Sequence, residues 1–251
     1  MIASLPMYDQ PDCRAANDRY WAAIGQALRD AGLAAPEALT RGIPDLMTHW
    51  MRPDLVLSQT CGYPFRAKLQ GQVALVGTPD FGLEGCRPGY YQSLFVVRAD
   101  DARDGLMAFK DARFAYNEAM SQSGWAAPQT HAAGLGFRFR PAVQSGGHAL
   151  SAQAVRTGEA DIAAIDALTW HLLRRNNPDM AGLRVVGRTD PAPGLPYIAA
   201  LGSKHRLVFD AISAAIAGLD AADRDVLGIR GILFIPAVAY LAVQTPAPPN
   251  P

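Results

Sequence analysis

The chain has 251 residues, 49% hydrophobic and 18% charged, enough to bury a large core in one or two domains. Its 23 basic and 23 acidic side chains cancel, so no basic stripe argues for nucleic acid or an anionic membrane surface, and a small-molecule partner is favoured. Cys13, Cys61 and Cys86 form no CxxC or Cys/His metal spacing; the odd count argues against a full disulfide framework and leaves one bridge open.

Residues 2–7 read as a buried strand that runs into the turn Tyr8-Asp9-Gln10-Pro11. Residues 15–31 place Tyr20, Trp21, Ile24, Ala27 and Leu28 at helical spacing, with Gly32 as the stop. A second strand is predicted within 53–64, ending in a polar loop that carries Gln59, Thr60 and Tyr63. If both strands are parallel in one sheet, that loop lies beside Tyr8. Strands follow at 73–79 and 89–98, the latter passing through Tyr91.

The pattern then alternates: strand 114–119, helix 123–135, strand 138–143, helix 150–157, strand 161–165, and helix 168–175, which Asn176-Asn177-Pro178 stops. Strand 183–188, a Pro-rich connector at 191–196, strand 197–201 and helices at 204–219 and 221–227 complete the regular part. The apolar run 231–243 contains Pro236 and is too short to span a bilayer. The tail 245–251, rich in proline, is expected to be extended or disordered. Residues 1–8 show no basic region, long apolar core or cleavage-site pattern, so a cytoplasmic location is expected if Met1 is the native start.

Strands alternating with helices imply an α/β fold with largely parallel sheets. Irregular points near 94–101 and 187–196 suggest two chain crossings between lobes. On that reading residues 1–95 plus 191–251 form lobe I and 96–190 form lobe II.

Two Ser/Gly-rich turns inside 115–166 carry the functional signal. The first holds Asn117 and Ser121-Gln122-Ser123-Gly124; the second is Ser145-Gly146-Gly147-His148. Each follows a strand and opens a helix, whose first N–H groups lack intrahelical partners and whose dipole favours negative charge. Asp166 closes the next strand at its carboxyl end, where ligands sit in open α/β sheets.

Plainer readings stand beside these. Ser121 and Asp166 are both good N-caps, a role compatible with binding. Gly146-Gly147 is a flexible turn or a place of close backbone approach. As a ligand contact, Asp166 needs a protonated oxyanion or a ligand ammonium to pair with. Tyr8, Tyr63, Tyr91 and Trp125 are core aromatics or cleft walls. Arg138 and Arg140 flank Phe139 as a solvated edge or as an oxyanion clamp. His49, His131, His171 and His205 have no metal-triad spacing. No Ser-His-Asp or Cys-His pairing and no GxxxxGK loop is evident, so neither a catalytic set, a metal nor a cofactor is expected.

At these residues the chain resembles the phosphonate/phosphate-type substrate-binding proteins of ABC transporters. The likeness runs from the opening strand through Gly89-Tyr90-Tyr91-Gln92-Ser93 to Pro196-Tyr197-Ile198. Its most specific parts are the two turns and Gly158-Glu159-Ala160-Asp161-Ile162-Ala163-Ala164-Ile165-Asp166. The resemblance implies a two-lobed type II periplasmic-binding-protein-like fold with two crossover strands and an interlobe cleft that closes on an oxyanion. It also implies a periplasmic location, a small anionic or zwitterionic ligand and an ABC permease as partner. The turn at 121–124 matches the family's donor turn to phosphonate oxygens, 145–148 its second turn, and Asp166 its acidic strand end; Tyr8 and Gln59, Thr60 and Tyr63 would supply the other wall. The run after the first strand, Met7-Tyr8-Asp9-Gln10-Pro11, departs from the family pattern. Two alternatives stay open: a cytoplasmic enzyme on the same fold, of the menaquinone-precursor or thiamine-pyrimidine type, or a ligand sensor.

Overall fold

The computed structural model describes residues 1–249. It divides into two compact units: Met1–Tyr90 with Pro193–Ala242, and Tyr91–Ala192 with the tail from Val243. The sequence-based division places the crossings a few residues away, at 95/96 and 190/191, and keeps the tail with lobe I.

In the first unit a five-stranded sheet runs in the order Ile2–Ala3, Leu55–Gln59, Tyr197–Ala200, Val73–Asp80, Gly231–Leu233. The first pair is parallel, with Ile2 opposite Leu55 and Ala3 opposite Leu57; the other pairs are antiparallel. The helix Arg14–Asp30 buries Asn17, Tyr20, Trp21, Ile24 and Leu28 on one face. It ends in a Schellman closure, the N–H of Gly32 donating to Arg29 O (2.9 Å) and that of Leu33 to Leu28 O (2.8 Å), with Gly32 at φ 74°. It packs against His205–Gly218, whose Phe209 lies so close to Gly77 that a Cβ there would overlap it. A second core on this unit gathers Trp50, Phe65, Leu69, Ile198, Ile235 and Tyr240.

The second unit's sheet runs Pro141–Gln144, Phe114–Tyr116, Ile162–Asp166, Ser93–Arg98, Leu183–Arg188. Phe114–Tyr116 is parallel to both of its neighbours, whereas Ser93–Arg98 is antiparallel to both of its own. Val96, Ala115, Val155, Ala163, Ile165 and Trp170 form the core under the helices His148–Arg156 and Ala167–Asn176.

The expectation of largely parallel sheets is therefore corrected. Helical crossovers force parallel pairing only along the consecutive series Phe114–Tyr116, Pro141–Gln144, Ile162–Asp166. Strands that enter a unit after a crossing, Ser93–Arg98 and Tyr197–Ala200, run antiparallel to their neighbours.

Other differences are local. The opening strand is only Ile2–Ala3, and the strand expected over 89–98 breaks at Gln92 into Tyr90–Tyr91 and Ser93–Arg98. The expected strand at 138–143 begins only at Pro141, because the Gln129 carboxamide takes both backbone groups of Phe139, donating to its carbonyl (2.9 Å) and accepting from its N–H (3.1 Å). Arg138 and Arg140 are exposed there, in keeping with a solvated edge. Short elements escaped the periodicity reading: Leu46–Trp50, capped by Asp45; the π turn Phe65–Leu69; Gly231–Leu233; and Ala237–Leu241. All three cysteines are free. Among the described residues no helix is long and apolar enough to cross a membrane.

Residues 245–249 carry no helix or strand, in keeping with an extended tail. The Trp125 indole donates to Ala247 O at 2.9 Å and holds that stretch against the second unit. Asn250 and Pro251, the end of the tail expected to be extended, lie outside the described residues.

Candidate functional site

In the second unit, two neighbouring parallel strands end side by side and their exits form the two Ser/Gly turns. Backbone bonds tie the turns together: Ser145 N–H donates to Tyr116 O and Gly146 N–H to Asn117 O, both at 2.9 Å. A side-chain bond crosses between them as well, with Ser123 Oγ 2.8 Å from His148 Nε2. Sequence reasoning placed these residues in two separate turns; the fold makes them one constellation.

The first turn is a π turn, Gln122–Ala126, that passes into the α-helix Ala127–Gly134. Ala126 N–H reaches back to Ser121 O (3.0 Å), and Pro128 sits at the helix start, where its missing N–H costs nothing. Ser121 is the N-cap, its Oγ accepting from Gly124 N–H at 3.0 Å. Capping uses a lone pair and leaves the hydroxyl proton to point elsewhere. Gly124 has a stricter reason to be glycine: a Cβ there would collide with Asn117 Oδ1. That oxygen is buried and, among the described residues, has no hydrogen-bond partner. An unpaired buried amide is costly, on the order of 1–3 kcal/mol, and here it lies against the turn whose N–H groups open a helix. Gln122 and Ser123 are buried beside it.

The second turn is braced differently. Ser145 Oγ lies 2.9 Å from Gly147 O and 2.7 Å from Ser151 Oγ, so its single proton is directed into the turn itself. Gly146 adopts φ 84°, which demands glycine. Gly147 is extended and serves as N-cap of His148–Arg156 without a side-chain bond, so the first N–H groups of that helix are left for other acceptors. His148 is half-buried with its Nδ1 fully enclosed and lacking an acceptor in hydrogen-bonding geometry. Burial pushes its pKa down to about 4, a shift the nearby Ala164 carbonyl partly offsets. The imidazole is therefore neutral at physiological pH and contributes a dipole rather than a charge.

Asp166 is buried at the end of its strand, opposite Ser93. Its Oδ1 accepts from Thr169 N–H at 2.9 Å, capping the helix Ala167–Asn176. Tyr91 is buried where the chain enters this unit.

The first unit holds the remaining sequence-derived candidates. Tyr8 and Gln59 line one small pocket, about 20 Å³, together with Asn17, Tyr20, Phe81 and Tyr197. Thr60 is buried by the strand, its N–H donating to Pro196 O (3.0 Å). Tyr63 is buried under the Arg66 guanidinium, 4.8 Å above its ring, and does not line that pocket. Phe81 follows one strand and Tyr197 opens another, and neither position carries a signal of its own in the sequence. Tyr20 was legible only as a core position of its helix.

Similarity to known proteins bears on this arrangement. The model of a family described as ABC transporter, phosphonate, periplasmic substrate-binding protein matches residues 52–235. The chain belongs to this family. Its solved structural relatives include PhnD1 of Prochlorococcus marinus in complex with methylphosphonate, at 17% identity and TM-score 0.73 over 95% of this chain and 94% of that one. XAC2383 of Xanthomonas citri bound to ATP gives 17% identity and TM-score 0.70 over 95% and 92%. A binding protein component of an ABC phosphonate transporter from Pseudomonas aeruginosa gives 15% and 0.68 over 92% and 80%. At these identities the structural likeness shows the fold: mixed α/β and two-lobed, of the periplasmic-binding-protein type. No curated protein matches the chain. Family membership makes it a solute-binding protein of the ABC-transporter type, in a family of periplasmic proteins.

Proposed function

We propose that this protein captures an organophosphonate or closely related small oxyanion on the paired turns of its second unit and presents it to an ABC permease outside the cytoplasm, without covalent chemistry of its own. The observation that supports this reading is the joining of the two turns by the Ser123–His148 bond, which ties two helix starts and their hydroxyls together. Affinity would come from neutral donors, the first N–H groups of both turns and the hydroxyls of Ser121 and Ser123, while the unsatisfied Asn117 Oδ1 is an acceptor that pairs only with a protonated ligand oxygen. Neutral N–H and hydroxyl donors hold an anion without a fixed cation because helix starts supply partial positive charge. Asp166 supports the site by fixing the helix that follows its strand. His148, being neutral, positions Ser123 rather than neutralising charge.

Calorimetric titration with methylphosphonate, phosphate and methanesulfonate tests this. Saturable binding of at least one of them, weakened about tenfold by Ser123→Ala, is expected from the loss of one hydrogen bond to a charged group. Absence of binding by all three to a folded protein would contradict it.

A further inference from the structure

The tail and the first Ser/Gly turn share one residue. Trp125 lies inside the π turn Gln122–Ala126, its backbone N–H donating to Ser121 O at 3.2 Å. Its buried ring has two partners: Tyr116 packs on it with centroids 5.1 Å apart and planes at 55°, and Ala247 O accepts from its indole at 2.9 Å. The Tyr116 carbonyl in turn accepts from Ser145 N–H (2.9 Å), and its hydroxyl donates to Gln144 Oε1 (3.1 Å). The indole therefore links the tail to the base of both turns, and the tail from Val243 belongs to the same compact unit as those turns.

The composition of the tail suits it to be held this way. Residues 245–249 read Thr-Pro-Ala-Pro-Pro. Each proline fixes its own φ and confines the residue before it to extended backbone, so all five positions are restricted before docking. Little backbone entropy is then lost when the segment is held, and one indole bond achieves more than it would on a flexible chain. An indole N–H meeting a carbonyl of a proline-rich segment is a recognition chemistry otherwise used between proteins; here both halves lie in one chain. The backbone N–H of Trp125 is already taken by Ser121 O, so the residue acts on a ligand only through the turn.

Resting on the reading of the paired turns as the oxyanion site, we infer that residues 245–249 are a strap on that site and that Trp125 is the positioning residue joining the two. Docking of the tail holds the turn in its donor geometry, and an oxyanion on the turn holds the tail; such coupling is reciprocal.

The test compares the full chain with Trp125→Phe and with a second variant combining Pro246→Gly, Pro248→Gly and Pro249→Gly, which keeps the indole and the Ala247 carbonyl but frees the tail. Calorimetric titration with methylphosphonate should give affinity about threefold weaker in each variant, a fraction of one hydrogen bond. Hydrogen exchange at the Trp125 indole, followed by NMR in the native protein, should slow by a similar factor at saturating methylphosphonate, a readout that a bond serving only to tether the tail would not move. Unchanged or tighter binding in either variant, or indole exchange indifferent to ligand, overturns the inference. If neither methylphosphonate nor phosphate binds the native protein, the oxyanion reading falls and the ligand-free amide spectrum decides the strap. The proline variant should then shift the amides of Gln122–Ala126 and Ser145, and amides left unmoved overturn the strap as well.

Discussion

The two units are built by opposite means. The second unit presents backbone: glycines at 124 and 146 clear space, Ser121 and Ser145 shape the turns, and helix starts supply the donors. The first unit presents side chains, with aromatic rings lining a small pocket that holds no charged residue. Backbone recognition suits a group with fixed charge and fixed geometry, such as an oxyanion. Side-chain recognition suits a group that varies. If the second unit's turns hold the oxyanion, substitutions in them should affect all oxyanion ligands alike.

The largest effect should come from Gly124→Ala. The new methyl displaces the Asn117 carboxamide from the turn, and overpacking of this kind costs about 1–3 kcal/mol of stability. Affinity for every phosphonate should fall by more than tenfold, read by titration against urea-unfolding controls. If binding survived while stability fell, the turn would be structural only.

Ser123→Ala and Ser145→Ala separate binding from bracing. The first should weaken methylphosphonate and phosphate by a similar factor, about tenfold. The second should chiefly cost stability, about 1 kcal/mol, since Ser145 turns its proton on Gly147 O. A reversal of these two outcomes would exchange their roles.

His148 makes a pH prediction with a definite sign. Its native pKa is about 4, below the ordinary imidazole value of about 6.5. Between those values the unfolded chain binds more protons, so the stability contribution is complete above about pH 6.5 and is lost as pH falls towards 4, by at most about 3 kcal/mol. His148→Gln should flatten the unfolding free energy across that window; an unchanged slope would show that the imidazole titrates normally.

The smallest effect is expected from Trp125→Phe, which keeps the ring against Tyr116 and removes the indole bond to Ala247. It should cost about 1 kcal/mol and speed proteolysis within residues 243–249. Equal cleavage rates would mean that the bond does not hold the tail.

Much of this was legible in the sequence where one physical cause dominates. Helical spacing located Arg14–Asp30 and His205–Gly218 to within a residue or so, and the Ser/Gly composition marked both turns because glycine and capping residues are used where the backbone must bend or donate. The crossing bond from Ser123 to His148 was not legible, since it depends on two strand ends becoming neighbours. Nor was the commitment of Ser145, whose partners Gly147 and Ser151 could be seen only once the turn had closed. The strand expected at 138–143 failed because Gln129, ten residues away, competes for the backbone of Phe139. The aromatic pocket was legible only at Tyr8 and Gln59, because its other residues come from two helices, a strand end and loops, and each alone reads as core.

The most direct measurement is the amide ¹H–¹⁵N spectrum of the full chain titrated with methylphosphonate. Saturable shifts centred on the N–H groups of Ser123, Gly147 and His148, and shared by phosphonates with different substituents, are expected if the paired turns hold the oxyanion. Saturable binding that leaves those amides unmoved would contradict it.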